Sequence, residues 1–151
     1  MSILFVDDDE LRTLPLREGL VQVGGFEVSF TASPIEAVKE FEENFSKYEM
    51  TIVDIMMPHY DEAEYKEFAL AGHFPNNYDG WYTGLKVIEK LLRVCSSRNM
   101  STPIVVLTCV EDVEKYLDAM KLKVARVLHK PIYLSDFLRE VRDVIKSTSK
   151  E

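Results

Sequence analysis

Three features of the sequence predict an α/β fold built on a five-stranded parallel sheet with helices on both faces. Short apolar runs alternate five times with amphipathic stretches. The runs are rich in valine and isoleucine and lack polar alternation, as strands buried on both faces do. The length of 151 residues, 46% of them hydrophobic, suits one ordinary core and is short for two typical domains.

The first strand covers residues 3–6 and runs straight into four consecutive acids, Asp7 to Glu10. A helix over 11–23 is closed by Gly24 and Gly25. Proline costs least in a first turn, so Pro15 places the start of this helix nearer Leu14 or distorts it there. Residues 27–31 form the second strand. In SPIEAVKEFEENF, Ser33 caps the next helix, Pro34 takes its first position and Glu36 completes a capping box. Ile35, Val38, Phe41 and Phe45 recur at helical spacing and read as core. Strand MTIVDIMMP, helix GLKVIEKLLRVCSS, strand PIVVLTC, helix EDVEKYLDAMK, strand VARVLHKP and helix SDFLREVRDVIK complete the alternation.

Composition excludes several classes of function. A formal net charge of -8 argues against a nucleic-acid binder, which needs a basic face to neutralise phosphates. Cys95 and Cys109 form no metal-ligand pattern and fall in predicted buried elements, so both read as reduced core thiols in a cytoplasmic protein. No apolar run is long enough to span a membrane, and the acids after residue 6 are incompatible with a signal peptide.

Ligands of open parallel sheets bind at the carboxyl ends of the strands. Here the first strand ends in Asp7 and Asp8, the third in Asp54, the fourth in Thr108 and the fifth in Lys130 and Pro131. Three carboxylates gathered on one rim need a cation, and oxygen-only ligation suits a hard ion such as magnesium. A lysine and a threonine facing them match the needs of an incoming phosphoryl group, whose transfer rests on positioning and charge neutralisation. Asp54 is then the candidate nucleophile, forming an acyl phosphate.

With these residues in place, the chain resembles response-regulator receiver domains of the chemotaxis-regulator type through FVDDDE, IVDIMMP, VVLTC and VLHKP, over nearly its whole length. The resemblance implies a flavodoxin-like three-layer sandwich with strand order 2-1-3-4-5, and a single receiver domain over residues 1–151. It implies that Asp54 is the phosphoacceptor, that Asp7, Asp8 and Asp54 hold magnesium with the backbone carbonyl of Met56, that Thr108 and Lys130 contact the phosphoryl group, and that Pro131 is a cis-proline aiming Lys130 into the site. It further implies a stand-alone signalling protein rather than an enzyme. Its partners would be a sensor histidine kinase or histidine phosphotransfer protein and a downstream protein target that reads the face of strands four and five. Two other readings stay open: a degenerate receiver that binds partners without phosphorylation, and a haloacid-dehalogenase-type phosphatase using Asp7 and Asp9.

The sequence departs from the receiver pattern in two places. Val127 stands where receivers usually carry an aromatic residue three positions before the lysine. An insertion at about 59–83 precedes Gly84, the glycine expected to open the third helix. Tyr60, Tyr65, Phe68, Phe74, Tyr78, Trp81 and Tyr82 either pack on the domain or form a partner surface. A short helix over 62–71 is expected there, and His59 and His73 match no metal motif. Met56 and Val110 are expected to border the water approach to the phosphoryl group; both are apolar, which implies slow self-dephosphorylation.

Overall fold

The computed structural model describes residues 1–57 and 82–149. The expected helix over 62–71, His59, His73 and every insertion aromatic except Tyr82 lie outside the described residues. The chain runs β1 (Ser2–Val6), α1 (Glu10–Gln22), β2 (Glu27–Thr31), α2 (Pro34–Asn44), a 3-10 turn (Phe45–Lys47), β3 (Tyr48–Val53), α3 (Thr83–Ser97), β4 (Ile104–Thr108), α4 (Val113–Ala119), β5 (Arg126–His129) and α5 (Leu134–Ser149). All strand pairs are parallel, in the order β2-β1-β3-β4-β5. This is the flavodoxin-like architecture expected from the sequence.

Successive side chains of a strand point to opposite faces, and this divides the core in two. From β1, Leu4 and Val6 face a cluster with Val53, Leu85, Ile88 and Leu91, while Ile3 and Phe5 face one with Leu20, Ile52, Phe137 and Val141. Burial on both faces explains why β1 and β4 read as unbroken apolar runs.

Local signals account for the starts of the first two helices. Ser33 Oγ accepts the Glu36 N–H at 3.2 Å, with Pro34 in the first helical position, as the capping signature predicts. Phe41 is fully buried in α2, whereas Ile35, Val38 and Phe45 are only partly buried, and Phe45 sits in the 3-10 turn. Helix α1 differs from expectation because it begins at Glu10, placing Pro15 in its interior. The reason is Asp9, whose carboxylate accepts the Arg12 N–H at 3.0 Å and sets the start upstream of the proline. The carbonyl that Pro15 leaves without its helical donor belongs to Leu11, a residue 82% exposed. Cys95 is buried as expected; Cys109 is exposed, because β4 ends one residue before it. Among the described residues, no helix is long and apolar enough to cross a membrane.

Phe137, fully buried, anchors α5 against Phe5 with ring centroids 6.4 Å apart. Phe137→Ala is expected to lower unfolding stability by about 3–5 kcal/mol, read as a reduced urea midpoint at unchanged slope.

Candidate functional site

The sheet order places the chain reversal between β1 and β3, and the strand ends flanking it carry the polar residues. Backbone pairing continues one residue past the strands: the Asp7 N–H donates to the Thr31 carbonyl, Asp54 to Val6, and Lys130 to Thr108. These bonds hold Asp7, Asp54, Thr108 and Lys130 to one edge. Asp7, Asp54 and Thr108 are almost wholly buried there.

The Lys130 ammonium lies between two carboxylates, 2.6 Å from Asp7 Oδ2 and 3.1 Å from Asp54 Oδ2. The Lys130–Pro131 peptide bond is cis, as expected. Asp7 Oδ1 also accepts the Asp9 N–H at 2.9 Å, and Asp54 Oδ1 accepts the Met56 N–H at 3.2 Å. The Thr108 hydroxyl lies close enough to the Asp54 carboxylate to favour its charged form, and accepts the Val110 N–H at 3.3 Å. One carboxylate oxygen from each of Asp7, Asp8 and Asp54 lies within 4.8 Å of the others.

Charge at this edge is out of balance. Burial pushes Asp54 up to about 6, and the neighbouring Asp7 adds to the rise against the opposing pull of Lys130 and Thr108. Burial and Asp7 also raise Asp8. For Lys130, burial pulls downward but the Asp54 and Asp7 carboxylates outweigh it, so the ammonium is held charged. One lysine therefore faces three carboxylates. An all-oxygen donor set with surplus negative charge fits a hard divalent cation.

Gly84 adds a constraint that spacing alone did not reveal. Its N–H donates to the Ile55 carbonyl at 3.0 Å, and a Cβ there would lie 2.0 Å from the Asp54 carbonyl oxygen. Only glycine lets the start of α3 sit this close to the loop carrying Asp54. Around the carboxylates a cleft is lined by Asp8, Arg12, Met56, Cys109, Lys130 and Tyr133. Arg12 and Tyr133 escaped the sequence reading; the usable signal for both was their place in the first turns beside two strand ends. Val110, expected to border the cleft, instead is buried in the core cluster. The chain turns after Thr108, so strand parity no longer predicts where its side chain goes.

Comparison with known proteins agrees with this geometry. No family model matches the chain. It is 26% identical over 146 residues to the transcriptional activator protein IrlR of Burkholderia pseudomallei, matching 97% of this chain and 51% of that protein. The chain thus spans about half the length of the curated relatives it matches. Among solved structures it resembles a response-regulator receiver domain from Clostridium thermocellum (TM-score 0.69, 20% identity, 98% of this chain and 96% of that one). It also resembles the non-phosphorylated HemR receiver domain from Leptospira biflexa (TM-score 0.68, 23% identity, 95% and 93%) and a CheY-like receiver domain from Methanospirillum hungatei (TM-score 0.68, 18% identity, 99% and 96%). The chain has the fold of response-regulator receiver domains.

The raised Asp54 carboxyl has a consequence for stability. An aspartate with an ordinary value of 3.8 that titrates at about 6 when folded keeps its proton longer in the folded chain than in the unfolded one. Between those values the folded state binds more protons, so stability falls as pH rises. Urea midpoints of the chelator-treated protein are expected to decline from about pH 4 to about pH 6, by on the order of 2 kcal/mol. Asp54→Asn should flatten most of that slope.

Proposed function

We propose that this chain is the phosphoacceptor receiver of a two-component phosphorelay, one domain over residues 1–151 that takes a phosphoryl group from a phosphohistidine partner onto Asp54. The observation that carries the reading is the Lys130 ammonium bridging Asp7 and Asp54 at the carboxyl edge of a receiver fold, with Asp8 and Thr108 beside it.

Asp54 is ionised at neutral pH, because even its raised value of about 6 lies below 7. One of its oxygens attacks phosphorus as the bond from phosphorus to the donor imidazole nitrogen breaks. The bonding pair leaves with the imidazole, and an aspartyl phosphate remains. Lys130, already within reach of Asp54 Oδ2, pairs with the negative phosphoryl oxygens. The Thr108 hydroxyl, beside the unmodified carboxylate, donates to the new phosphate. Asp7, Asp8 and Asp54, with the Met56 carbonyl, are the residues that would hold magnesium. When bound, the ion neutralises charge on the carboxylates and on the phosphoryl group.

The acceptor role is that of a signalling protein in the cytoplasm, read by a downstream protein on the β4–β5 face, not that of a turnover enzyme. A degenerate receiver has no use for the full set of Asp7, Asp8, Asp54, Thr108 and Lys130. A phosphatase using Asp7 would carry the phosphoryl group on that residue instead, so the identity of the modified aspartate separates the two readings.

Mass spectrometry of the intact chain after acetyl phosphate and magnesium is expected to find one phosphoryl group, absent without magnesium and absent in Asp54→Asn. Modification at Asp7 would point to the phosphatase reading, and no modification to a degenerate receiver.

The lifetime of the phosphorylated form depends on what can orient a water in line with phosphorus. Met56 lines the cleft and offers no side-chain hydrogen bond, and Val110 is buried. Self-dephosphorylation is therefore expected to be slow, and Met56→Asn to speed it several-fold after donor removal. Val110→Glu, by contrast, is expected to destabilise the fold by burying a carboxylate.

A further inference from the structure

Two loops carry the chemistry of the site: the one after β3, with Asp54, and the one after β4, with Thr108. Beyond the carboxylates these loops meet again through two aromatic rings. Tyr82, 8% exposed, precedes α3 and pairs with Met57 in a parallel bridge. Gly84, two residues on, is pressed against the Asp54 carbonyl and bonded to Ile55. Tyr82 is thus fixed to the Asp54 loop from both sides. Its ring meets Tyr116 of α4 edge-on, with centroids 5.4 Å apart and planes at 69°.

Helix α4 is itself joined to the site through Thr108. The Thr108 hydroxyl stands beside the Asp54 carboxylate and accepts the Val110 N–H, three residues before the helix begins. With seven residues, α4 has few internal hydrogen bonds to hold it, and its position rests on tertiary contacts. Val113 and Leu117 pack it onto the core, and Tyr116 ties it sideways to Tyr82. A phosphoryl group on Asp54 moves the acceptor oxygen for Thr108 outward. A hydroxyl that followed it would draw the 108–112 turn and the start of α4 along, with Tyr82 left on the Asp54 loop.

We propose that the Tyr82–Tyr116 contact is the link through which the state of Asp54 sets the position of α4, formed in the unmodified chain and broken in the phosphorylated one. The inference rests on the acceptor role of Asp54. It locates the response on the surface that α4 presents beside β5, where Val127 provides no ring.

Hydrogen exchange of residues 113–119, measured with and without acetyl phosphate and magnesium, tests it. In the parent, exchange is expected to quicken about fivefold on phosphorylation, the weight of one edge-to-face ring pair. Tyr116→Leu, which fills the half-buried position without a ring, and Tyr116→Ala are expected to accept the phosphoryl group normally yet exchange at the fast rate in both states. Tyr116→Phe should behave as the parent, and Tyr82→Leu should reproduce Tyr116→Leu. A phosphorylated parent with no change over 113–119, or a Tyr116→Leu variant that keeps the parent's step, would overturn the proposal. A parent that takes up no phosphoryl group is a different result: it removes the acceptor role, and this inference with it.

Discussion

The carboxyl edge of the sheet depends on one ammonium placed among three carboxylates. Lys130 reaches Asp7 and Asp54 together, and neither acid could stay buried and ionised without such a partner. The compensation is incomplete, since burial still raises both Asp54 and Asp8. A site in this condition attracts positive charge and accepts a dianionic group only if more positive charge comes with it. Burial, with repulsion from Asp7 added to it, is what leaves the edge short of positive charge.

Much of this was legible in the sequence, for a definite reason. In a parallel sheet buried on both faces, the polar residues that close each apolar run fall at the same edge. FVDD, IVD, VVLT and VLHK therefore announce four neighbouring side chains without any knowledge of strand order. What the runs do not encode is the path of the chain once it leaves the sheet. Cys109 and Val110 follow Thr108 by one and two residues, yet the first is exposed and the second buried, the reverse of what their places in the sequence suggest. The start of α1 departs from expectation for a related reason. Pro15 has only a weak preference for a first turn, and the Asp9 cap, hidden inside an acidic run, outweighs it.

Backbone proximity supplies the precision that side chains alone would not. Asp54 sits on a loop whose carbonyl touches the start of α3 at Gly84, whose amide at Met56 turns back to the carboxylate, and whose β-ladder bond to Val6 ties it to the strand bearing Asp7. Three independent backbone restraints thus act within three residues. The role proposed for Asp54 requires restraint of this kind, since a nucleophile must be held within a fraction of an ångström of its working position.

The same restraints explain how the fold tolerates a long excursion directly after its most exacting loop. Met57 and Tyr82 pair as a parallel bridge, so the chain leaves and re-enters the described structure at one point. The Met57 and Gly84 amides both converge on the Ile55 carbonyl, closing that point from either side. Once the two ends of a loop are pinned together, its length has little further effect on the rest of the fold. Each doubling adds only about 0.6 kcal/mol of closure entropy, which a few buried contacts at the base outweigh. Tyr82, buried and set against Tyr116, is such a contact. The residue that closes the excursion is therefore also one that touches α4, through the part of the core cluster that both tyrosines share.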